Sequence, residues 1–350
     1  MREFASEIVA RLLDRVPCLP ASSALKGTDR ACLEDVEYHL TYLREALALA
    51  DPALLQDYLG WARSSRGNPC LATDVLEATL AETQAVLRAR LPEGMADLAD
   101  GYLAQASAAL TEAALTEAPG AGGSGRDPAL PLAGLAGRYI DALLSGKSER
   151  ASQAVLDALQ RGVPVRDIYL GVFQPAQVEI GRLWQLGQAS IAQEHYFSAA
   201  TQLIMSRIAP HVFSAERVDR RLVAACVSGE THQIGLRIVA DFFEMAGWDT
   251  YFLGADTPAL AILEAVETMQ PDILGISATM PYHVRTVAEV IRDVRASEAG
   301  AQVRILVGGG VFSRSPDLCH KVGADAIVRD ADAAVQVATR LLRGDGNYGR

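Results

Sequence analysis

The sequence predicts an all-α region followed by an α/β domain built on a doubly wound, five-stranded parallel sheet. Three observations carry this. Upstream of about residue 215, apolar residues recur at three- and four-residue spacing, the period of a helix with one buried face. From Arg221 they gather instead into short runs, RLVAACV, TYFLG, DILGISA, VRILVGG and AIV, which alternate with helical stretches. Between the first helical segment and the rest lies Ala118 to Pro128, APGAGGSGRDP, glycine-rich in the manner of a flexible linker.

Residues 1–117 read as an N-terminal helical domain. Glu34 to Ala50 and Leu71 to Arg90 have helical periodicity, and Asp51-Pro52 places a capping residue before a proline suited to a first helical turn. Residues 118–131 are the linker. Residues 132–214 divide into four helices, 132–145, 148–161, 165–186 and 190–211, whose short connections favour an antiparallel four-helix bundle. Gly187 can end the third helix in the left-handed conformation, and Ser190 with Gln193 has the spacing of a capping box for the fourth. Residues 219–345 form the α/β domain, with helices after Gln233, Pro258, Tyr282, Arg314 and Asp330. The expected strand order is 2-1-3-4-5, which puts a ligand crevice outside the carboxyl ends of strands 1 and 3.

Half of the 350 residues are hydrophobic, enough to fill real cores, yet no apolar run nears the ~20 residues of a membrane span. The opening MREFASEIVARLLDR mixes charge into its apolar residues, unlike a signal peptide, so a cytoplasmic location is expected. A net charge of −11 without a basic stripe argues against nucleic-acid binding. The five cysteines, at 18, 32, 70, 226 and 319, are odd in number and scattered. They suggest buried thiols in a reducing compartment rather than a disulfide framework or zinc site.

Three unusual features fall at successive strand ends: Glu230-Thr231-His232-Gln233-Ile234-Gly235, Ser277-Ala278-Thr279 and Gly308-Gly309-Gly310. Taken singly, a loop histidine is ordinarily structural and a triple glycine ordinarily a turn. Together they resemble the corrinoid-binding signature D-x-H-x-x-G, S-x-L, G-G of methionine synthase, the mutases and their relatives. Forty-one residues separate Gly235 from Ser277 and twenty-eight separate Thr279 from Gly308, as in that family, with Glu230 for the usual Asp and Thr279 for the usual Leu. The resemblance implies a flavodoxin-like cobalamin-binding domain with His232 as the ligand beneath cobalt. The residue types suit the chemistry: imidazole ligates cobalt through one nitrogen, and Glu230 can fix the tautomer through the other. Ser277 would hydrogen-bond the nucleotide tail, which would lie against Gly308 and Gly309, bare of Cβ atoms.

The bundle carries a second pattern. Trp184, nine residues, then Glu194-His195 is similar to the cap of the CarH-type cobalamin photoreceptors. That resemblance implies adenosylcobalamin, with Trp184 stacked on the adenosyl group and Glu194 accepting hydrogen bonds from its ribose. Gln185 stands where those photoreceptors have a histidine, which leaves either His195 or water as the ligand after photolysis. Leu33 to Arg66, with Tyr38-His39-Leu40 and Tyr58-Leu59-Gly60-Trp61, resembles the helical region of photocobilins, which add a bilin such as biliverdin; aromatics and a histidine at helical spacing are more often core than chromophore pocket. The resulting expectation is a light sensor, not an enzyme. It would signal by conformational or oligomeric change, with small-molecule chromophores, a second copy or a downstream signalling protein as partners. The alternative is a corrinoid carrier that shuttles methyl groups between methyltransferases.

Overall fold

The computed structural model describes residues 1–15, 28–64, 69–115, 132–213 and 215–344. The linker over 118–131, the domain limits at 117, 214 and 345, and Cys18 lie outside the described residues. The chain divides into two compact units: Met1–Gly123 with Arg182–Ser190, and Ser124–Gly181 with Ile191–Arg350. The short segment Arg182–Ser190, expected as part of the bundle, thus falls with the N-terminal helices.

The described residues of the first unit form the helices α1 (Arg2–Arg15), α2 (Thr28–Ala48), α3 (Ala53–Ser64), α4 (Thr73–Arg90) and α5 (Glu93–Leu115). Asp51 Oδ1 accepts a hydrogen bond from the Ala53 N–H at 3.1 Å, so the Asp-Pro start of α3 caps the helix as its sequence suggests. Ala5, Ile8 and Val9 of α1 pack with Val36 and Leu40 of α2 and Val86 of α4, the buried stripes that helical periodicity marks. One expectation is corrected here. Cys32 and Cys70 form a disulfide, with Cα atoms 5.5 Å apart. The tertiary fold brings the pair together across a separation of 38 residues, a loop whose closure stabilises by roughly 4 kcal/mol in a chain-entropy account. Cys226 and Cys319 are free and buried, as expected.

The second unit begins with α6 (Ala133–Leu144), α7 (Ser148–Gln160), α8 (Val165–Ile168), a π-turn (Tyr169–Phe173), α9 (Gln174–Gln185, whose last turn lies in the first unit) and α10 (Ile191–Val212). The helix expected over 165–186 is therefore interrupted. The wide turn buries Tyr169, Val172 and Phe173 together, and Tyr169 meets the Phe173 ring edge-on. Gly187, at φ +67°, ends the α9 hairpin arm as anticipated.

The α/β part follows as β1 (Arg221–Val227), α11 (Ile234–Met245), β2 (Asp249–Thr257), α12 (Ala259–Met269), β3 (Ile273–Ser277), α13 (Val284–Ala296), β4 (Arg304–Gly308), α14 (Gly310–Arg314), α15 (Leu318–Lys321), β5 (Ala326–Val328) and α16 (Ala331–Arg343). The strands are parallel in the order β2-β1-β3-β4-β5, as the alternation predicts. β1 is buried from Leu222 to Val227 and β3 throughout, which is why both read as unbroken apolar runs. One sheet face packs Leu222, Ala224 and Cys226 against Leu236, Ala240 and Phe243 of α11 and Ala334, Val337 and Ala338 of α16. Register sets Cys226 beside Ser277 and Ser277 beside Gly308, so three carboxyl ends stand side by side.

Candidate functional site

The loop from β1 to α11 is shaped by its own backbone. Gly229 takes φ +82°, and its N–H donates to Asp256 Oδ1 at 2.7 Å. The Asp256 N–H returns a bond to the Glu230 carbonyl at 3.0 Å, tying the loop to the end of β2. Gln233 Oε1 accepts from the Ala255 N–H at 3.1 Å and adds a second tie. This frame holds Glu230 inside and His232 outside: Glu230 is fully buried, while more than half of the His232 side chain is exposed.

Glu230 is the hub. One carboxylate oxygen lies 2.6 Å from His232 Nδ1 and accepts the His232 backbone N–H at 2.8 Å. The other accepts the Thr279 N–H and lies 3.2 Å from His283 Nδ1. Burial alone would raise its pKa; the bonds from His232, His283 and the two N–H groups outweigh it and hold the carboxyl well below its usual range. The ionised Glu230 in turn raises the His232 pKa through its hydrogen bond, against the opposing effect of burial, and the charges of Glu230 and Glu194 add to it. With Nδ1 engaged, Nε2 is the nitrogen of His232 available to a metal. A single exposed imidazole suits a metal that arrives already ligated at its other positions. Burial pushes the Cys226 thiol, behind this loop, up to about 12, so it is inert packing.

The other motif residues assemble around this hub. Thr231 is exposed, Ser277 is buried at the end of β3, and Thr279 meets Glu230 through its backbone rather than its side chain. A Cβ on Gly235 would meet nothing within 4 Å, which leaves open space at the start of α11 beside His232. Gly309 needs a different explanation from the one its motif suggests. At φ +96°, a Cβ there would lie 2.3 Å from the Ala278 carbonyl oxygen, so the close approach of β3 and β4 requires glycine before any ligand does. Gly308 is confined by Val328 O at 3.1 Å, and Gly310 by Thr279 and Arg314.

On the cap, Glu194 sits in the first turn of α10, near enough for its charge to act on His232. His195 Nδ1 lies 2.7 Å from Glu194 Oε2, and the Ser198 hydroxyl donates to Glu194 Oε1 at 2.9 Å. Gln177 Oε1 lies 3.3 Å from the same Ser198 hydroxyl, the Gln177 amide donates to Thr201 Oγ1 at 3.1 Å, and the buried Tyr139 hydroxyl donates to the same threonine oxygen at 2.9 Å. The Glu194 carboxylate is thus anchored through the bundle core. The bundle is fixed to α11 by Tyr169, whose hydroxyl donates to the buried Asp241 at 2.7 Å, and Arg237 bonds the other Asp241 oxygen at 2.8 Å. Trp184 belongs to the first unit, where its ring centroid lies 6.0 Å from that of Trp61.

Sequence reasoning missed His283. It lies in a short turn, Pro281–His283, is buried, and holds the far oxygen of Glu230. Its place four residues after Thr279 has no periodic signature; only the carboxylate it shares with His232 reveals its part.

Residues 220–338 match the B12 binding domain family, and residues 135–209 match a second family also described as a B12 binding domain. Dimethylamine corrinoid protein 3 of Methanosarcina acetivorans is 27% identical over 214 residues, which make up 60% of this chain and 98% of that protein. Trimethylamine corrinoid protein 1 of Methanosarcina mazei is 28% identical over 209 residues, 58% of this chain and 94% of that one. The structure of Methanosarcina barkeri monomethylamine corrinoid protein has the same fold, with a TM-score of 0.53 at 20% identity over 59% of this chain and 98% of that one. These findings overturn the expectation of a light sensor and favour its alternative, because the relatives are corrinoid proteins named for methylamines. They lend no support to adenosylcobalamin, to a bilin or to chromophores as partners. The relatives' names are of corrinoid proteins rather than catalysts, in line with a chain that is not itself an enzyme. Among the described residues, no helix is long and apolar enough to cross a membrane. Within residues 135–338, the chain carries a cobalamin-binding module in which a helical B12 binding domain precedes an α/β one.

Proposed function

We propose that the protein is a corrinoid carrier of a methyltransferase system, holding cobalamin while partner enzymes load and unload a methyl group. The observation that carries this is coverage: the match takes in 98% of the length of the dimethylamine corrinoid protein, so the shared module is nearly all of that relative. When bound, the corrinoid supplies a cobalt centre that accepts and gives up a methyl group. The chain's own residues bind and orient it. His232 Nε2 would be the lower ligand, and Glu230, ionised and bonded to Nδ1, makes that nitrogen a better donor. His283 and the Thr279 N–H hold Glu230 in place. Ser277, with Gly308 at the neighbouring strand end and Gly310 at the start of α14, would receive the nucleotide tail, and the open space at Gly235 would let the corrin edge approach α11. Glu194 and His195 would line the upper side from the cap.

On this reading the upper ligand is methyl rather than adenosyl, no bilin is needed, and the partners are methyltransferases whose methyl source is a methylated amine. The test mixes cobalamin-loaded protein with a methylamine methyltransferase and mono-, di- or trimethylamine. Amine demethylation that depends on this chain, and fails with His232→Ala, is expected. Absence of transfer from all three amines, with cobalamin demonstrably bound, would overturn the carrier reading.

A further inference from the structure

The first unit holds a file of aromatic rings that starts outside the cobalamin-binding module and ends at Trp184, within its helical part. His39 on α2 and Tyr58 on α3 are buried, and the Tyr58 hydroxyl lies 2.8 Å from His39 Nδ1. Burial lowers the His39 pKa to about 4 and pushes the Tyr58 phenol well above its ordinary value. The imidazole is therefore neutral and the phenol keeps its proton, and in the tautomer that carries its proton on Nε2 the imidazole accepts the phenol's hydrogen at Nδ1. Tyr42 stacks on Tyr58, with centroids 3.7 Å apart and planes inclined by 16°. Beyond Tyr58 comes Trp61, with centroids 5.9 Å apart and planes inclined by 26°, and then Trp184 at 6.0 Å. Trp184 is 39% exposed, whereas Trp248, in the second unit, is 4% exposed. The file therefore has a solvent end at Trp184 and a dry end at Tyr58.

Rings this close exchange single electrons readily. An oxidised indole can take an electron from a phenol provided the phenolic proton can leave, since an oxidised phenol is a very strong acid. In a dry interior that proton needs a base already hydrogen-bonded to it, because an unpaired buried charge is costly. His39 is such a base. We infer that Trp184, Trp61 and Tyr58 form an inward path for oxidising equivalents, with His39 as the proton acceptor at its end. A one-electron oxidant of the free-radical class takes an electron from Trp184 and is itself reduced. Trp61 refills Trp184, and Tyr58 refills Trp61. The Tyr58 O–H bond breaks as its electron leaves, and the proton crosses to His39 Nδ1, leaving a neutral tyrosyl radical beside an imidazolium. The relay is independent of the carrier reading, and either can fail without the other.

Pulse radiolysis of the full chain with azide radicals tests it, the azide radical becoming azide ion as it oxidises tryptophan. The broad tryptophan-radical absorption should decay as the sharp tyrosyl band grows, at a rate independent of protein concentration. Tyr58→Phe should lose this intramolecular phase. Trp61→Phe should slow it severalfold, and His39→Gln should slow or abolish it with Tyr58 still present. Circular dichroism checks that each variant folds; should one not fold, wild-type protein in heavy water should show the phase slowed. A phase unchanged in rate and amplitude in folded Tyr58→Phe or Trp61→Phe, or insensitive to heavy water, overturns the path. An unchanged phase in folded His39→Gln removes His39 from it.

Discussion

At the scale of single residues, Glu230 decides the chemistry of the site. It is buried, ionised and surrounded by two imidazoles and two backbone N–H groups, so His232 is oriented before any ligand arrives. Glu230→Gln keeps the size but puts an N–H among donors. Cobalamin affinity should fall about 10- to 100-fold, the usual penalty for losing the partner of a metal-ligating histidine, as measured by equilibrium dialysis. Unchanged affinity would show that Glu230 does not orient the ligand. Gly309→Ala should destabilise the cobalamin-free chain by roughly 1–3 kcal/mol in denaturant titration, since φ +96° and the Ala278 carbonyl both oppose a Cβ. An unaltered midpoint would contradict that account. His232 and Glu230 were legible in the sequence because chemistry fixes their types and spacing. His283 was not, because its role depends on a carboxylate fifty-three positions away. The glycines were legible as a motif, yet for Gly309 the packing of neighbouring strands supplies a sufficient reason.

At the scale of elements, helices with clear caps and stripes were legible, as at Asp51 before α3 and Gly187 after α9. The π-turn inside the expected helix 165–186 was not, since one extra residue in a turn leaves the apolar pattern nearly intact. The Cys32–Cys70 bridge was hidden for another reason: pairing of distant cysteines is a property of the tertiary fold, which places α2 beside the turn before α4. Burial of His39 between α2 and α3 makes the first unit sensitive to acid. Its pKa is depressed from 6.5 to about 4 in the folded state, so the unfolded chain takes up the proton first as pH falls. Stability is undiminished above pH 6.5 and is lost progressively down to about pH 4, by roughly 3 kcal/mol in all. Denaturant unfolding of wild type and His39→Gln, followed through Trp61 fluorescence at pH 7 and pH 4.5, should show a smaller acid loss in the variant. Equal losses would mean that His39 is not the group responsible.

At the scale of the whole molecule, alternating apolar runs and helices were enough to give the strand order and hence the ligand end of the sheet, because right-handed crossovers leave few other arrangements. The output was less legible. Trp184, Glu194 and His195 suggested a light-responsive cap, whereas Trp184 falls in the first unit with Trp61 and the relatives are methylamine corrinoid proteins. The central claim is that the chain binds cobalamin with His232 in place of the cofactor's own base. Electron paramagnetic resonance of the reduced, cobalt(II) form, on protein made with ¹⁵N-histidine, tests it most directly. Nitrogen splitting of the cobalt signal should change from triplets to doublets on labelling, and His232→Ala should lose the effect. Triplets that persist in the labelled protein would show that the cofactor's own base stays bound, and would contradict the account.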